Sequence, residues 1–303
     1  MYLSFVVVHN NKLEKMNKTV LVLTALFLVF SAFKADKPAY TLFNIDGKEV
    51  KYEKMLKQIE DADIVLFGEL HDNPISHWLE LELTKDLFAS KGENLVLGAE
   101  MFERDNQLIL DEYMSGEISQ RNFEDEARLW PNYKTDYKPL VEFAKENKIR
   151  FAATNIPRRY ASLVNSKGFE GLEELSDDAK KFLPPFPVAY DSTLNCYASM
   201  MHMEGMGAHV TPNFPKAQAI KDATMSYFML QNWTPGKQVL HYHGAYHSAN
   251  FESLYWYLKH QNPDLKIVTI ISVQQKDISE LTEENTGTAD FTICVDEDMT
   301  KTM

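Results

Sequence analysis

The apolar positions of this chain fall into short unbroken runs, each followed by a stretch with helical spacing. Ile64-Val65-Leu66-Phe67 is one such run and ends in Gly68. An apolar run without polar alternation predicts a strand covered on both faces, as in a parallel sheet. Pro74 to Ser90 then carries Trp78, Leu79, Leu83 and Leu87 at helical spacing, and Asn73 before Pro74 predicts the N-cap. The unit recurs. Leu95 to Ala99, Arg150 to Thr154, Gln238 to His243, Lys266 to Ser272 and Phe291 to Val295 predict further strands. Helical sequence runs from Arg104, from Tyr137 to Asn147, and from Asn250 to His260. This alternation predicts an α/β fold, a mostly parallel sheet with helices on both faces.

Two stretches depart from that rhythm. Tyr40 to Tyr52 predicts a hairpin turning at Ile45-Asp46-Gly47-Lys48, with a short helix from Met55 to Glu60 after it. Between Thr154 and Gln238 no strand pattern occurs, and Pro184-Pro185-Phe186-Pro187 interrupts the segment. Ser192 to Met206 and Pro215 to Asn232 read as helical. Residues 160–235 are therefore expected to be a helical insertion, or cap, on a body built from residues 36–159 and 236–303.

The first 35 residues read differently. Lys12, Lys15 and Lys18 precede an apolar run of 14 residues, Val20 to Phe33, and small residues follow at Ser31, Ala32 and Ala35. A membrane span needs about 20 apolar residues. The pattern predicts a secretory leader over residues 1–35, cleaved near residues 32–35, with Met16 as an alternative start. An uncleaved anchor or a buried helix is the competing reading. Cleavage would leave an exported protein, periplasmic or extracellular, with no stable membrane anchor.

Charge narrows the partners. Beyond residue 35 the chain has 27 basic and 43 acidic residues, a net charge of −16. That balance disfavours nucleic acid and anionic lipid and leaves a small molecule as the expected ligand. Hydrophobic residues make up 45% of the 303, enough for a packed core. Cys196 and Cys294 are the two cysteines, too far apart in sequence for a zinc-knuckle spacing. A disulfide or two buried thiols remain open.

Ligands of open α/β sheets bind at the carboxyl ends of the strands. The residues directly after each predicted strand are therefore the candidates. Ile64–Phe67 delivers Glu69, His71 and Asp72; Leu95–Ala99 delivers Glu100 and Glu103; Arg150–Thr154 delivers Asn155 and Arg158; Gln238–His243 delivers Tyr246 and His247. Glycine before each x-x-His, in Gly68-Glu69-Leu70-His71 and Gly244-Ala245-Tyr246-His247, permits a sharp turn off the strand. Two chemistries fit the set. Glu69, His71 and His247 could hold a divalent metal with an open water position. Without metal, His71 with Glu69 or Glu100 makes a base and its orienting carboxylate. Gln218 and Asp222, one helical turn apart, either reach this site or form a solvated face. His202, Met206 and His209 lie at i, i+4 and i+7, and such side chains can ligate haem iron; packing is the commoner use. Tyr133 and Tyr137 are candidate phenolate ligands, and His241 and His243 share one strand face. No Gly-x-Gly-x-x-Gly, Walker or Gly-x-Ser-x-Gly sequence is present.

These motifs carry a resemblance. Gly68–His71, Gly98-Ala99-Glu100-Met101-Phe102, Asn155-Ile156-Pro157-Arg158, Gln218–Met225 and Gly244–His247 resemble the ChaN-like family of the Tiki superfamily, over roughly residues 45–275. The resemblance implies an iron-regulated, haem-binding protein of haem uptake. It also implies haem held at the interface of a homodimer, with tyrosine and histidine near the iron. His71, His247, Tyr246, Tyr137, His202 and His209 are the candidate haem-binding residues, and Asn155, Arg158, Gln218 and Asp222 the supporting ones. Tiki proteases and erythromycin esterases look like hydrolases, and their site maps onto Glu69, His71, Glu100 and His247. Two departures stand out: the chain lacks the lipid-bearing cysteine of some members, and Tyr246 stands where small or polar residues are usual. A non-catalytic binding module is the third reading.

Overall fold

A computed structural model describes residues 37–202 and 211–303. The expected leader, Met206, His209 and the side chain of His202 lie outside the described residues. Residues 39–303 form one compact unit around a seven-stranded sheet of order β1-β7-β6-β2-β5-β3-β4. The strands are β1 (Tyr40–Asn44), β2 (Ile64–Glu69), β3 (Leu95–Glu103), β4 (Arg150–Asn155), β5 (Gln238–Gly244), β6 (Ile267–Gln275) and β7 (Phe291–Asp296). Every neighbouring pair is parallel except β1 with β7. The α/β architecture with a mostly parallel sheet is therefore as expected.

Helices α1 (Tyr52–Ile59), α2 (Pro74–Lys91), α3 (Gln107–Ser115), α4 (Gln120–Glu126), α5 (Lys138–Glu146), α6 (Arg158–Lys167), α7 (Phe214–Asn232) and α8 (Leu254–Gln261) surround the sheet. The unbroken apolar run of β2 has a direct cause. Val65 and Phe67 pack with Leu83 and Leu87 of α2, while Ile64 and Leu66 pack with Met225 and Met229 of α7. Each such side chain contributes about 1.5–3 kcal/mol when fully buried. Helix α2 starts as predicted: Asn73 Oδ1 accepts from the amides of Ile75 and Ser76 at 2.9 and 3.2 Å, and Pro74 follows. Its buried stripe carries Leu79, Leu83 and Leu87 but also His77, Glu80 and Thr84. Trp78, grouped with that stripe by spacing, is instead 48% exposed and meets Tyr40 edge-on.

Three local expectations change. The hairpin keeps its turn, but its second arm is reduced to a single bridge between Phe43 and Glu49, and the extended pairing of β1 is with β7. The helix expected from Asn250 begins at Leu254, since Asn250, Phe251 and Ser253 have φ of 61°, 57° and 51°. Left-handed residues cannot continue a right-handed helix. Among the described residues of Ser192–Met206, the α-helix spans Asn195–Ala198 and a 3₁₀ turn follows over Ser199–His202. Helix α7 lies directly on the sheet. Its Ala217 and Ile220 pack with Ile156, Tyr160 and Val164, and so anchor α6. Cys196 and Cys294 are buried free thiols.

Candidate functional site

The motif-bearing strands β2, β5, β3 and β4 are consecutive in the sheet, so their carboxyl ends form one edge. The two Gly-x-x-His turns interlock there. Glu69 is in register with Gly244, and a Cβ on Gly244 would lie 2.6 Å from His71 Nε2. A Cβ on Gly68 would lie 2.8 Å from the Ala245 backbone. Both glycines are required by close approach rather than by unusual backbone angles.

Side chains alternate across a strand, so the site has two halves. On the α2 side, Glu69 is buried and its Oε1 receives His71 Nδ1 at 2.6 Å and the Tyr137 hydroxyl at 2.7 Å. Its Oε2 lies 3.1 Å from His77 Nδ1. His77 also faces Glu80 Oε2 at 3.3 Å, and its Nε2 faces the His71 carbonyl at 3.2 Å. Burial opposes the charge on both Glu69 and His77. The His71 and His77 hydrogen bonds nonetheless hold Glu69 below the usual carboxylate range, and Glu69 and Glu80 push His77 up to about 11. Glu80 goes the other way: burial, then the charge of Glu69, raises it well above the ordinary value.

On the α7 side, His247 is enclosed. Its Nδ1 meets Asp222 Oδ1 at 2.5 Å and its Nε2 meets Glu100 Oε1 at 3.3 Å. Gln218 Nε2 stands 3.1 Å from the same ring, and the Tyr197 hydroxyl donates to Asp222 Oδ2 at 2.7 Å. Gln218 and Asp222 thus reach into the site. Glu100 Oε2 accepts the amide of Gly244 at 2.9 Å. Burial would keep His247 neutral, but Glu100 and Asp222 raise it to about 10. Beneath them His241 and His243 are fully buried, joined Nδ1 to Nδ1 at 3.1 Å, with Thr154 Oγ1 2.7 Å from His241 Nε2. Burial, then the charge of His247, lowers His243 to about 3.

An open cleft of about 370 Å³ adjoins this edge, lined by Glu100, Trp130, Asn155, Ile156, Arg158, Phe214 and Lys221 among others. Trp130 meets the His71 ring edge-on at 4.9 Å. Asn155 Nδ2 donates to the Glu100 carbonyl at 3.0 Å. Other expected residues are engaged elsewhere, although Glu103 also lines the cleft. Asp72 pairs with Lys301, Glu103 with Arg128, and the Tyr246 hydroxyl donates to the Cys196 carbonyl. Tyr137 serves as a buried donor to Glu69, and burial with that carboxylate's charge raises its phenol far above the ordinary range.

Among the described residues, the three His and carboxylate groups whose ligand atoms lie within 4.8 Å of one another are Glu69, His77 and Glu80. Spacing alone had pointed to Glu69, His71 and His247. Sequence reasoning passed over His77, Glu80, Asp136 and Trp130. Glu80 did leave a signal: it sits on the same helical stripe as Leu83 and Leu87, where a core-facing position should be apolar.

A family profile described as "Haem-binding uptake, Tiki superfamily, ChaN" matches residues 55–258. The chain belongs to this family. The structure of ChaN of Campylobacter jejuni with cofacial haem superposes with a TM-score of 0.63 at 16% identity, covering 84% of this chain and 96% of that one. At that identity the ChaN likeness shows the fold. A curated relative, Protein RETICULATA-RELATED 5, chloroplastic, of Arabidopsis thaliana, is 26% identical over 201 residues, 61% of this chain. The chain spans only 26% of that relative's length. No helix among the described residues is long and apolar enough to cross a membrane.

Proposed function

We propose that this ChaN-family protein binds haem in the cleft at the ends of β3 and β4, where His71, at the end of the nearby β2, would hold the iron, and that it serves haem uptake outside the cytoplasm. One observation carries the reading. The side chain of His71 is 37% exposed beside the cleft, backed by the buried carboxylate of Glu69, while His77, His241, His243 and His247 are buried. A ligating histidine commonly bonds its other ring nitrogen to a carboxylate, which fixes the tautomer and orientation. Here Glu69 takes Nδ1, which leaves Nε2 as the ring's other donor, and the ring fits beside Gly244 because that residue has no side chain.

The lining fits the group. Haem presents two flat apolar faces and two propionates. Trp130, Ile156 and Phe214 supply apolar wall, and Arg158 and Lys221 supply cations for the propionates. The carboxylates at the cleft are compensated, Glu103 by Arg128 and Glu100 by His247. Bound haem would supply an iron centre that accepts an axial imidazole. A second copy of the chain closing over the open cleft would make the working unit a homodimer. The leader-like pattern of residues 1–35 supports export.

Haemin titration tests this. The expected result is a saturable shift of the Soret band that His71→Ala abolishes. A wild type with no saturable shift, or an unchanged shift in His71→Ala, sinks the reading. A second reading, hydrolysis by Glu69, His71, Glu100 and His247, is favoured by two histidine–carboxylate pairs at one edge of the sheet, Glu69–His71 and His247 with Asp222 of α7. Such pairs are the base-and-orienter arrangement of acid–base catalysis. An ester and peptide screen with Glu69→Gln as control decides it: equal inactivity of both proteins ends that reading.

A further inference from the structure

We propose that Glu69, His77 and Glu80 form a site for a first-row divalent metal cation, buried behind His71 and separate from the haem cleft. Helix α2 places His77 and Glu80 one turn apart, facing the last residue of β2. Glu69 and Glu80 are 1% and 0% exposed, and His77 is 6% exposed. Donors bound to one ion at about 2.0–2.1 Å in tetrahedral or octahedral geometry stand roughly 3.0–3.4 Å apart. Glu69 Oε2 and Glu80 Oε2 are 3.1 and 3.3 Å from His77 Nδ1.

The surroundings are arranged as for a ligand set. Glu69 Oε1 is committed to His71 and Tyr137, Glu69 Oε2 faces His77 Nδ1, and Glu80 Oε1 is buried with no hydrogen-bond partner. The far nitrogen of His77 faces the His71 carbonyl at 3.2 Å and Asp136 Oδ2 at 3.4 Å. Asp136 is itself held by Asn132 Nδ2 at 2.6 Å and Thr302 Oγ1 at 2.7 Å. A carboxylate or carbonyl behind a histidine aims its opposite nitrogen at a metal. Two carboxylates and one imidazole make a hard-to-borderline donor set of charge −2, which suits zinc, manganese or ferrous iron and not a soft monovalent ion. Glu69 would then touch the cation through Oε2 and His71 through Oε1, so the cation would also fix the imidazole that faces the cleft.

The test is metal content of the purified full chain after equilibration with Zn²⁺, and separately Mn²⁺, followed by removal of free ion. Near one equivalent is expected in wild type and in His71→Ala, falling at least tenfold in Glu80→Gln and in His77→Gln. Zn²⁺ should raise the thermal midpoint of wild type but not of Glu80→Gln. If a variant does not fold, X-ray absorption at the zinc edge of wild type still decides, with one imidazole and only oxygen otherwise expected. No stoichiometric ion in wild type overturns the proposal, as does full loading of Glu80→Gln or loss of loading in His71→Ala. Haemin titration of Glu80→Gln keeps the two proposals distinguishable, because the cleft reading predicts a retained Soret shift there whatever the metal result.

Discussion

His71 rests on Gly244: a side-chain carbon at that glycine would stand 2.6 Å from the imidazole Nε2 and 2.9 Å from Cε1. The histidine of the first Gly-x-x-His motif is thus seated on the glycine of the second. Gly244→Ala should displace the His71 ring and lower haemin affinity at least tenfold, with a loss of stability of about 1–3 kcal/mol from overpacking. Absorbance titration and urea unfolding of the same variant separate the two effects. Wild-type affinity in Gly244→Ala would mean that Nε2 does not face the ligand.

Arg158 and Lys221 line the cleft. If they meet the propionates, each change to Ala should weaken haemin by about two- to fivefold, the range of a solvent-screened ion pair. The effect should shrink as salt rises. Titrations at low and high ionic strength check it, and salt-independent losses would point to packing instead.

The His247 ion pair sets a pH dependence. Glu100 and Asp222 raise this histidine to about 10 against the opposing effect of burial. Its unfolded value is about 6.5, so the stabilisation is complete below about 6.5 and is lost as pH rises through about 10. Stability of the wild type should therefore fall between pH 7 and 9.5. His247→Gln should flatten that slope by up to about 1.4 kcal/mol per pH unit. His77 contributes a decline of the same sign, which the variant retains. Parallel slopes for the two proteins in urea unfolding would refute this account.

Gly98 packs against the buried His241. A Cβ there would lie 2.8 Å from His241 Cδ2 and 3.3 Å from a Thr154 methyl. Gly98→Ala should cost about 1–3 kcal/mol, since neither neighbour has room to withdraw. Thr154→Val should cost about 1–3 kcal/mol by leaving His241 Nε2 without its hydroxyl partner. Both are read from urea midpoints, and stability within error of wild type in Gly98→Ala would show that the sheet opens to accept the methyl.

Much of the fold was legible because strands and helices leave local periodicities. Val65 and Phe67 against Ile64 and Leu66 already said that β2 is covered twice. Asn73-Pro74 marked the start of α2. The delayed start of α8 was not legible, because Phe251 and Ser253 join Asn250 at positive φ, which their residue types do not announce. Asp222 and Gln218 were ambiguous for a similar reason. A helix shows its spacing in sequence, but which face meets the site depends on how the helix is laid on the sheet.

The sequence by itself determined the strands, the glycines at their ends, and the polar residues that follow them. Only the tertiary structure decided that β5, late in the chain, lies between β2 and β3. That insertion puts Gly244 under His71 and Glu100 against His247. It also leaves His77 and Glu80, which look like ordinary helix residues, facing the buried Glu69. Periodicity is a property of neighbours along the chain, whereas strand order depends on which buried faces find one another. The partners of Glu69 come from both.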